Sequence, residues 1–125
     1  MSKTVLIADD YADVRSMTKY LLESFGYDVI EARDGFEALK EAKAQRPDLI
    51  LMDVAMPQMN GITSATLIRL AKDCENIPII AVTAHGQEYL EHEEEFGFDQ
   101  IVQKPVLIDD LKQIVDRFLE NGRDH

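Results

Sequence analysis

Apolar residues recur along this chain in short runs, and the runs are separated by stretches in which they return at helical spacing. Five runs read as strands: Thr4–Ala8, Asp28–Ala32, Leu49–Met52, residues 79–82 and Gln100–Gln103. The run Leu49–Met52 is apolar throughout, too short for a helix and followed by Pro57 and the turn dipeptide Asn60-Gly61. That is the pattern of a strand buried on both faces. Between the runs the period changes. Val14, Met17, Leu21, Leu22 and Phe25 mark an amphipathic helix that opens at Tyr11 or Asp13 and stops at Gly26. Asp34-Gly35 reads as a turn, and residues 36–44 as a helix with Phe36, Leu39 and Ala42 on one side and Pro47 beyond its end. Residues 62–72 carry Ile62, Ala65, Leu67, Ile68 and Leu70 and form a third helix that ends near residues 73–76. Residues 87–96 form an acidic helix whose only apolar anchors are Tyr89, Leu90 and Phe96, which makes it the least anchored element. Residues 108–119 place Ile108, Leu111, Ile114, Val115 and Phe118 along one face ahead of Asn121-Gly122.

Alternation of strand and helix with short connections predicts an α/β fold, a parallel sheet covered on both faces by right-handed crossovers. Covering both faces requires a switch in strand order, and a doubly wound five-stranded sheet of order 2-1-3-4-5 is the expected solution. No linker, repeat or low-complexity run divides the chain, so residues 1–125 are expected to form one domain with a core from about 4 to 120.

Charge narrows the partners. The 24 acids against 13 bases give a net charge of −11, which on average repels nucleic acid and anionic membrane and favours cations and basic partners. Lone Cys74 rules out an intrachain disulfide, and neither a signal peptide nor a run of the roughly 20 apolar residues that span a bilayer is present. A cytoplasmic protein is expected.

The candidate chemistry lies at the strand ends. Asp9 and Asp10 follow the first strand, Asp53 the third, Thr83 the fourth and Lys104 the fifth. In an open α/β sheet these positions meet at one edge, where ligands bind. Three carboxylates gathered there repel one another: at about 4 Å each pair costs roughly 4 kcal/mol at an effective dielectric near 20. A divalent cation relieves that repulsion, and hard oxygen donors suit Mg²⁺. A hydroxyl and an ammonium complement the oxygens of a phosphoryl group, and an attacking carboxylate at Asp53 would form an acyl phosphate. Taken singly, Asp9-Asp10 reads as a helix cap, Thr83 as a strand-end hydroxyl and Lys104 as a surface base.

Together, the acid pair Asp9-Asp10, the segment Asp53-x-x-Met56-Pro57-x-Met59-x-Gly61, Thr83-Ala84 and Lys104-Pro105 resemble the receiver domain of two-component response regulators, the CheY-like superfamily with a flavodoxin-like fold. The likeness runs from Val5 to about Leu119. It implies that Asp53 is the phosphoacceptor, that Asp10 and Asp53 ligate Mg²⁺ with Asp9 helping through water, and that the Ala55 backbone carbonyl supplies a further ligand. It also implies that Thr83 and Lys104 bind the phosphoryl oxygens, that small Ala84 leaves room for them, and that the Lys-Pro bond is cis. The implied role is a phosphoprotein in a phosphorelay. It is not an enzyme in the usual sense, but it assists its own phosphotransfer and autodephosphorylation. The implied donor is a histidine kinase or histidine phosphotransfer protein docking near the first helix and the loop after the last strand, with Met17 and Val106 as contacts. A switched surface on the acidic helix, last strand and last helix would then bind an output protein. A monomer or weak dimer is expected, with no nucleic acid and no membrane bound directly.

Departures from the family pattern are informative. Ile101 stands where the family often has an aromatic ring, so a rotating ring cannot report phosphorylation here. Ala55 and His85 occupy positions that tune dephosphorylation. The six glycines form neither a P-loop nor a dinucleotide fingerprint, which points to another protein as phosphodonor instead of bound ATP. His92-Glu93 begins a zincin-like pattern, but Phe96 takes the place of the second ligand. Met52, Met56 and Met59 read as gap fillers and Glu93 to Glu95 as a solvated face. Two alternatives compete. An aspartate-nucleophile phosphatase would need a second acid two residues after the nucleophile, where this chain has Ala55. A receiver-like interaction module without phosphorylation would be expected to lack part of the site.

Overall fold

The computed structural model describes residues 2–84, 86 and 96–123. Its five strands are β1 (Thr4–Ala8), β2 (Asp28–Ala32), β3 (Leu49–Met52), β4 (Ile79–Thr83) and β5 (Gln100–Gln103). They form one sheet in the order β2-β1-β3-β4-β5, every neighbouring pair parallel. Four helices lie among the described residues: α1 (Ala12–Ser24), α2 (Gly35–Gln45), α3 (Gly61–Leu70) and α4 (Ile108–Asn121). The acidic helix expected over residues 87–96 lies, but for Phe96, outside the described residues. His85, His92 and Glu93 to Glu95 lie outside them as well.

Alternating side chains of the strands supply two cores, one on each face. Leu6, Ala8, Ile50, Met52, Ile79, Ala81 and Ile101 pack against Ala38 and Ala42 of α2 and Ala65 and Ile68 of α3. Val5, Ile7, Leu49, Leu51 and Ile80 pack against Leu22 of α1 and Leu111, Val115, Phe118 and Leu119 of α4. Burial on both faces is why the central strands read as unbroken apolar runs.

The helices depart from expectation in their apolar faces. Met17, Phe36 and Ile108 were expected on core faces but are 67%, 60% and 53% exposed, and Val14 is exposed too. On α1 and α4 other large residues, Leu22, Leu111, Val115 and Phe118, make the core contacts, whereas on α2 and α3 much of the buried face is small: Ala38, Ala42, Ser64 and Ala65 are fully buried beside Ile68. α3 ends at Leu70, ahead of the stop expected near residues 73–76, because Ala71 takes an extended conformation.

Two dipeptides expected as turns begin helices instead. Asp34 caps α2 by accepting a hydrogen bond from the Glu37 N–H at 2.8 Å, and Asn60 caps α3 by accepting one from Thr63 at 2.9 Å. Both helices start on glycine for a steric reason. A Cβ on Gly61 would lie 2.2 Å from the carbonyl oxygen of Asp53, and one on Gly35 would lie 2.2 Å from that of Met59. The starts of α2 and α3 therefore rest directly on the loop that follows β3.

Candidate functional site

Parallel strands bring the residues that follow β1, β3, β4 and β5 to one edge. Backbone bonds continue the ladder past the strand ends: Asp53 N donates to Ala8 O at 2.9 Å, Asp9 N to Ala32 O at 3.1 Å and Lys104 N to Thr83 O at 2.9 Å. Asp9, Asp10 and Asp53 each present a carboxylate oxygen within 4.8 Å of the other two. Lys104 reaches across from β5, its Nζ 3.0 Å from Asp9 Oδ2 and 3.2 Å from Asp53 Oδ2. Four of the expected residues are thus gathered by their side chains. Thr83 closes β4, 1% exposed and opposite Gln103 in the strand register. Ala55 is tied to the site through its N–H, which donates to Asp53 Oδ1 at 3.2 Å.

The acids differ in environment. Asp9 is buried, Asp10 is exposed and Asp53 lies between them. Burial pushes the Asp53 carboxyl above its usual range, against the pull of the Lys104 charge and hydrogen bond. Burial also draws the Lys104 ammonium down. Its hydrogen bond to Asp9 and the charges of Asp53 and Asp9 outweigh that and leave it above the ordinary lysine value, so it is cationic at neutral pH. Three carboxylates thus face one ammonium among the described residues. Hard oxygen donors this close, with two sides of the charge uncompensated, fit a small divalent cation such as Mg²⁺.

Residues that sequence reasoning passed over hold this arrangement in place. Arg15 of α1 donates to the Asp9 carbonyl at 2.8 Å and pairs with Glu31 at 3.2 Å, fixing the β1–α1 corner to β2. Asp9 Oδ1 accepts the Tyr11 N–H at 2.9 Å, which leaves Oδ2 for Lys104. Ser64 donates to the Gly35 carbonyl at 2.7 Å, and Gly35 N donates to Met59 O at 2.9 Å, binding α2 and α3 to the loop after Asp53. A basic residue early in a helix was the only signal for Arg15, and no acid stands three or four residues from it to mark its role. The Lys104-Pro105 bond is cis, as the resemblance implied.

Comparison with known proteins agrees with this geometry. Residues 5–116 match the model of the response regulator receiver domain. The chain is 42% identical over 89 residues to the alkaline phosphatase synthesis transcriptional regulatory protein PhoP of Bacillus subtilis, a match covering 71% of this chain and 36% of that protein. It therefore spans about a third of that relative. It is 32% identical over 120 residues to the polar-differentiation response regulator DivK of Brucella anthropi, covering 95% of this chain and 98% of DivK. Among solved structures it superposes with a TM-score of 0.86 on the receiver domain of sensor histidine kinase PA1611 from Pseudomonas aeruginosa. That match has 29% identity and covers 97% of this chain and 100% of that one, and the PA1611 domain has a magnesium ion coordinated in its active-site cleft. Domains of this family act in signalling and bind Mg²⁺ in an acidic pocket, here represented by the three aspartates after β1 and β3. In sequence, in strand order and in the grouping at its sheet edge, this chain belongs to the response regulator receiver domain family of two-component phosphorelay signalling.

Proposed function

We propose that this chain, as one receiver domain with a core from about residue 4 to 120, accepts a phosphoryl group on Asp53 and changes a protein-binding surface in response. The observation that carries this reading is the meeting of Asp9, Asp10 and Asp53 within 4.8 Å under the Lys104 ammonium. Asp53 Oδ attacks the phosphorus of a phosphohistidine; the P–N bond breaks as the P–O bond of the acyl phosphate forms, and the imidazole leaves with a proton. Lys104 is already hydrogen-bonded to Asp53 and follows the charge onto the phosphoryl oxygens. Thr83, one strand away, donates its hydroxyl to another of those oxygens. Asp10 and Asp53, with Asp9 and the Ala55 carbonyl, would hold Mg²⁺, whose chemistry when bound is to neutralise charge on the phosphoryl oxygens.

The donor in this proposal is a histidine kinase or histidine phosphotransfer protein. Met17 and Tyr20 stand 67% and 73% exposed on α1, and Leu107 stands 68% exposed after β5. These exposed side chains on α1 and after β5 are the docking contacts in this proposal. Val106 packs partly into the core and is a weaker contact than the sequence suggested. A cytoplasmic setting, a monomer or weak dimer, and an output protein as the receiver of the switched surface belong to the same proposal. Among the described residues no helix is long and apolar enough to cross a membrane. Autodephosphorylation resets the switch, and sustained turnover of an external substrate is disfavoured because Ala55 carries no acid. Ile101 is buried, so phosphorylation is transmitted by repacking a branched aliphatic, without ring rotation.

The test is direct. Incubation with Mg²⁺ and a small acyl phosphate adds one phosphoryl mass to the wild type, and Asp53→Asn abolishes the addition while keeping the fold. Uptake by Asp53→Asn at the wild-type rate assigns the nucleophile elsewhere.

A further inference from the structure

β5 ends on Gln103, a residue that none of the chemistry above uses. Its side chain lies across the loop that leaves Thr83. The Nε2 group donates to the Ala84 carbonyl at 2.5 Å, and Lys104 N, the next donor along the chain, holds the Thr83 carbonyl at 2.9 Å. Two successive carbonyls of the β4 exit are therefore gripped by the last residue of β5 and the one after it, by a side chain and a backbone N–H respectively. Residue 86 completes the fit. A Cβ there would lie 2.9 Å from Gln103 Oε1 and 3.3 Å from Gln103 Cα, so Gly86 is what allows the loop to settle on the amide.

We propose that Gln103 is a positioning residue of the switch: its amide clamps the Ala84 carbonyl and so sets how readily the Thr83 loop leaves its resting place. The inference rests on the reading that Asp53 is phosphorylated and Thr83 moves in response. In a two-state switch, a bond made only in the resting state lowers the population of the other state, and with it the affinity of anything that binds that other state. Gln103 is exposed, so water competes for the carbonyl, and release of one such bond shifts the equilibrium by about two- to tenfold. The clamp acts on the loop alone. The three aspartates are held by β1, β3 and Lys104, and none of them touches Gln103.

Gln103→Leu keeps the bulk and removes the donor, and Gln103→Met keeps the unbranched length with neither an N–H donor nor a formal charge. Titration of each protein with Mg²⁺ plus beryllofluoride, a stable phosphoryl mimic, is the decisive measurement, beside titration with Mg²⁺ alone. Both variants are expected to bind the mimic about two- to tenfold more tightly than the wild type and Mg²⁺ alone equally well. The amides of Ala84 and Gly86 are expected to exchange faster in the unliganded variants. A merely structural role would lower the melting temperature and leave mimic affinity unmoved; that result, or weaker binding in both variants, overturns the clamp. Failure of the wild type itself to bind the mimic overturns the phosphoacceptor reading instead, and the two failures are told apart by that control.

Discussion

Replacing Asp10 by Asn should stabilise this protein when no metal is present and abolish its response to Mg²⁺. Lys104 bonds to Asp9 and Asp53, whereas Asp10 has no cation within ion-pair distance among the described residues. Its carboxylate lies within 4.8 Å of both others. At that separation each like-charged pair repels by about 3.5 kcal/mol at an effective dielectric of roughly 20, and by about 0.9 kcal/mol in bulk water. Asp10 is exposed, so the lower figure governs each of its two pairs, and the ammonium of Lys104 offsets part of it. A net gain of about 1 kcal/mol remains for the Asn variant, worth about 3–6 °C in melting temperature for a domain of this size. In the wild type, Mg²⁺ at about ten times its dissociation constant adds about 1.4 kcal/mol by mass action. Calorimetric melts of both proteins, each with chelator and with Mg²⁺, give four temperatures. With chelator the variant melts above the wild type, and with Mg²⁺ the gap closes or reverses because only the wild type gains. A variant that melts at or below the wild type in chelator would show that the three acids are not in electrostatic conflict, and the argument for a cation at this edge would fail with it.

Other perturbations probe the parts that hold the site. Gly61→Ala drives a methyl against the Asp53 carbonyl and should cost about 2–3 kcal/mol in a urea titration and slow acyl phosphate uptake, since the backbone that must move carries the proposed nucleophile. An unchanged uptake rate would mean that the Asp53 backbone has slack. Asp99→Ala should cost about 3–4 kcal/mol. It strips the carboxylate from Arg69 at 2.7 Å and Arg123 at 2.6 Å and leaves the Ile79 N–H without its acceptor, so a loss below that of a surface pair such as Arg33 with Glu37 would refute the role given to it. Burial, then the hydrogen bond to Asp116 and the charges of Asp116 and Glu120, push the Tyr27 hydroxyl up to about 12. Because the folded value exceeds the unfolded one, its contribution is full below about pH 10 and is lost as pH rises through about 12. Wild type should therefore lose about 1–2 kcal/mol more than Tyr27→Phe over that window, and parallel pH profiles would contradict the assignment.

How much of this was readable beforehand follows from what periodicity records. The strands were legible because both faces are buried: Leu49–Met52 has no polar position to confuse the period, and its limits agree with the structure. The site was legible because a parallel sheet delivers every strand end to one edge, so Asp9, Asp53 and Lys104 could be joined without coordinates. Helix faces were less so. Helical spacing shows that Met17, Leu21 and Phe25 share a side of α1, but not how far the sheet extends beneath them. The sheet covers the helix at Leu22 and leaves Met17 open. Contacts across the fold left no mark in the sequence. Arg69 and Asp99 are 30 residues apart, and Gln103 meets Ala84 over 19, separations that carry no period.

The two ends of the sheet differ in electrostatics, and that difference bears on how one domain can be both stable and switchable. At the end where β4 begins, the Asp99 side chain is 5% exposed and compensated twice over, by Arg69 and Arg123, while its Oδ2 also takes the Ile79 N–H at 2.8 Å. Burial draws the Arg69 guanidinium down to about 10 even with Asp99 beside it, and backbone carbonyls of Glu75, Ile77 and Gly97 supply further acceptors. The buried carboxylate and both guanidinium groups there have partners, and rearranging that end would break several of these bonds at once. At the opposite end, three carboxylates share one ammonium, and the charge is left to be balanced by whatever arrives. A cation would relieve the conflict, and under the proposed phosphorylation of Asp53 the phosphoryl group would redistribute it by taking over Lys104. With the far end tied by these paired groups, the proposed switch predicts its response in the backbone that leaves β3 and β4. The second of those exits is held to β5 by the Thr83 and Ala84 carbonyls, bonds each small enough to be exchanged for contacts with a phosphoryl oxygen.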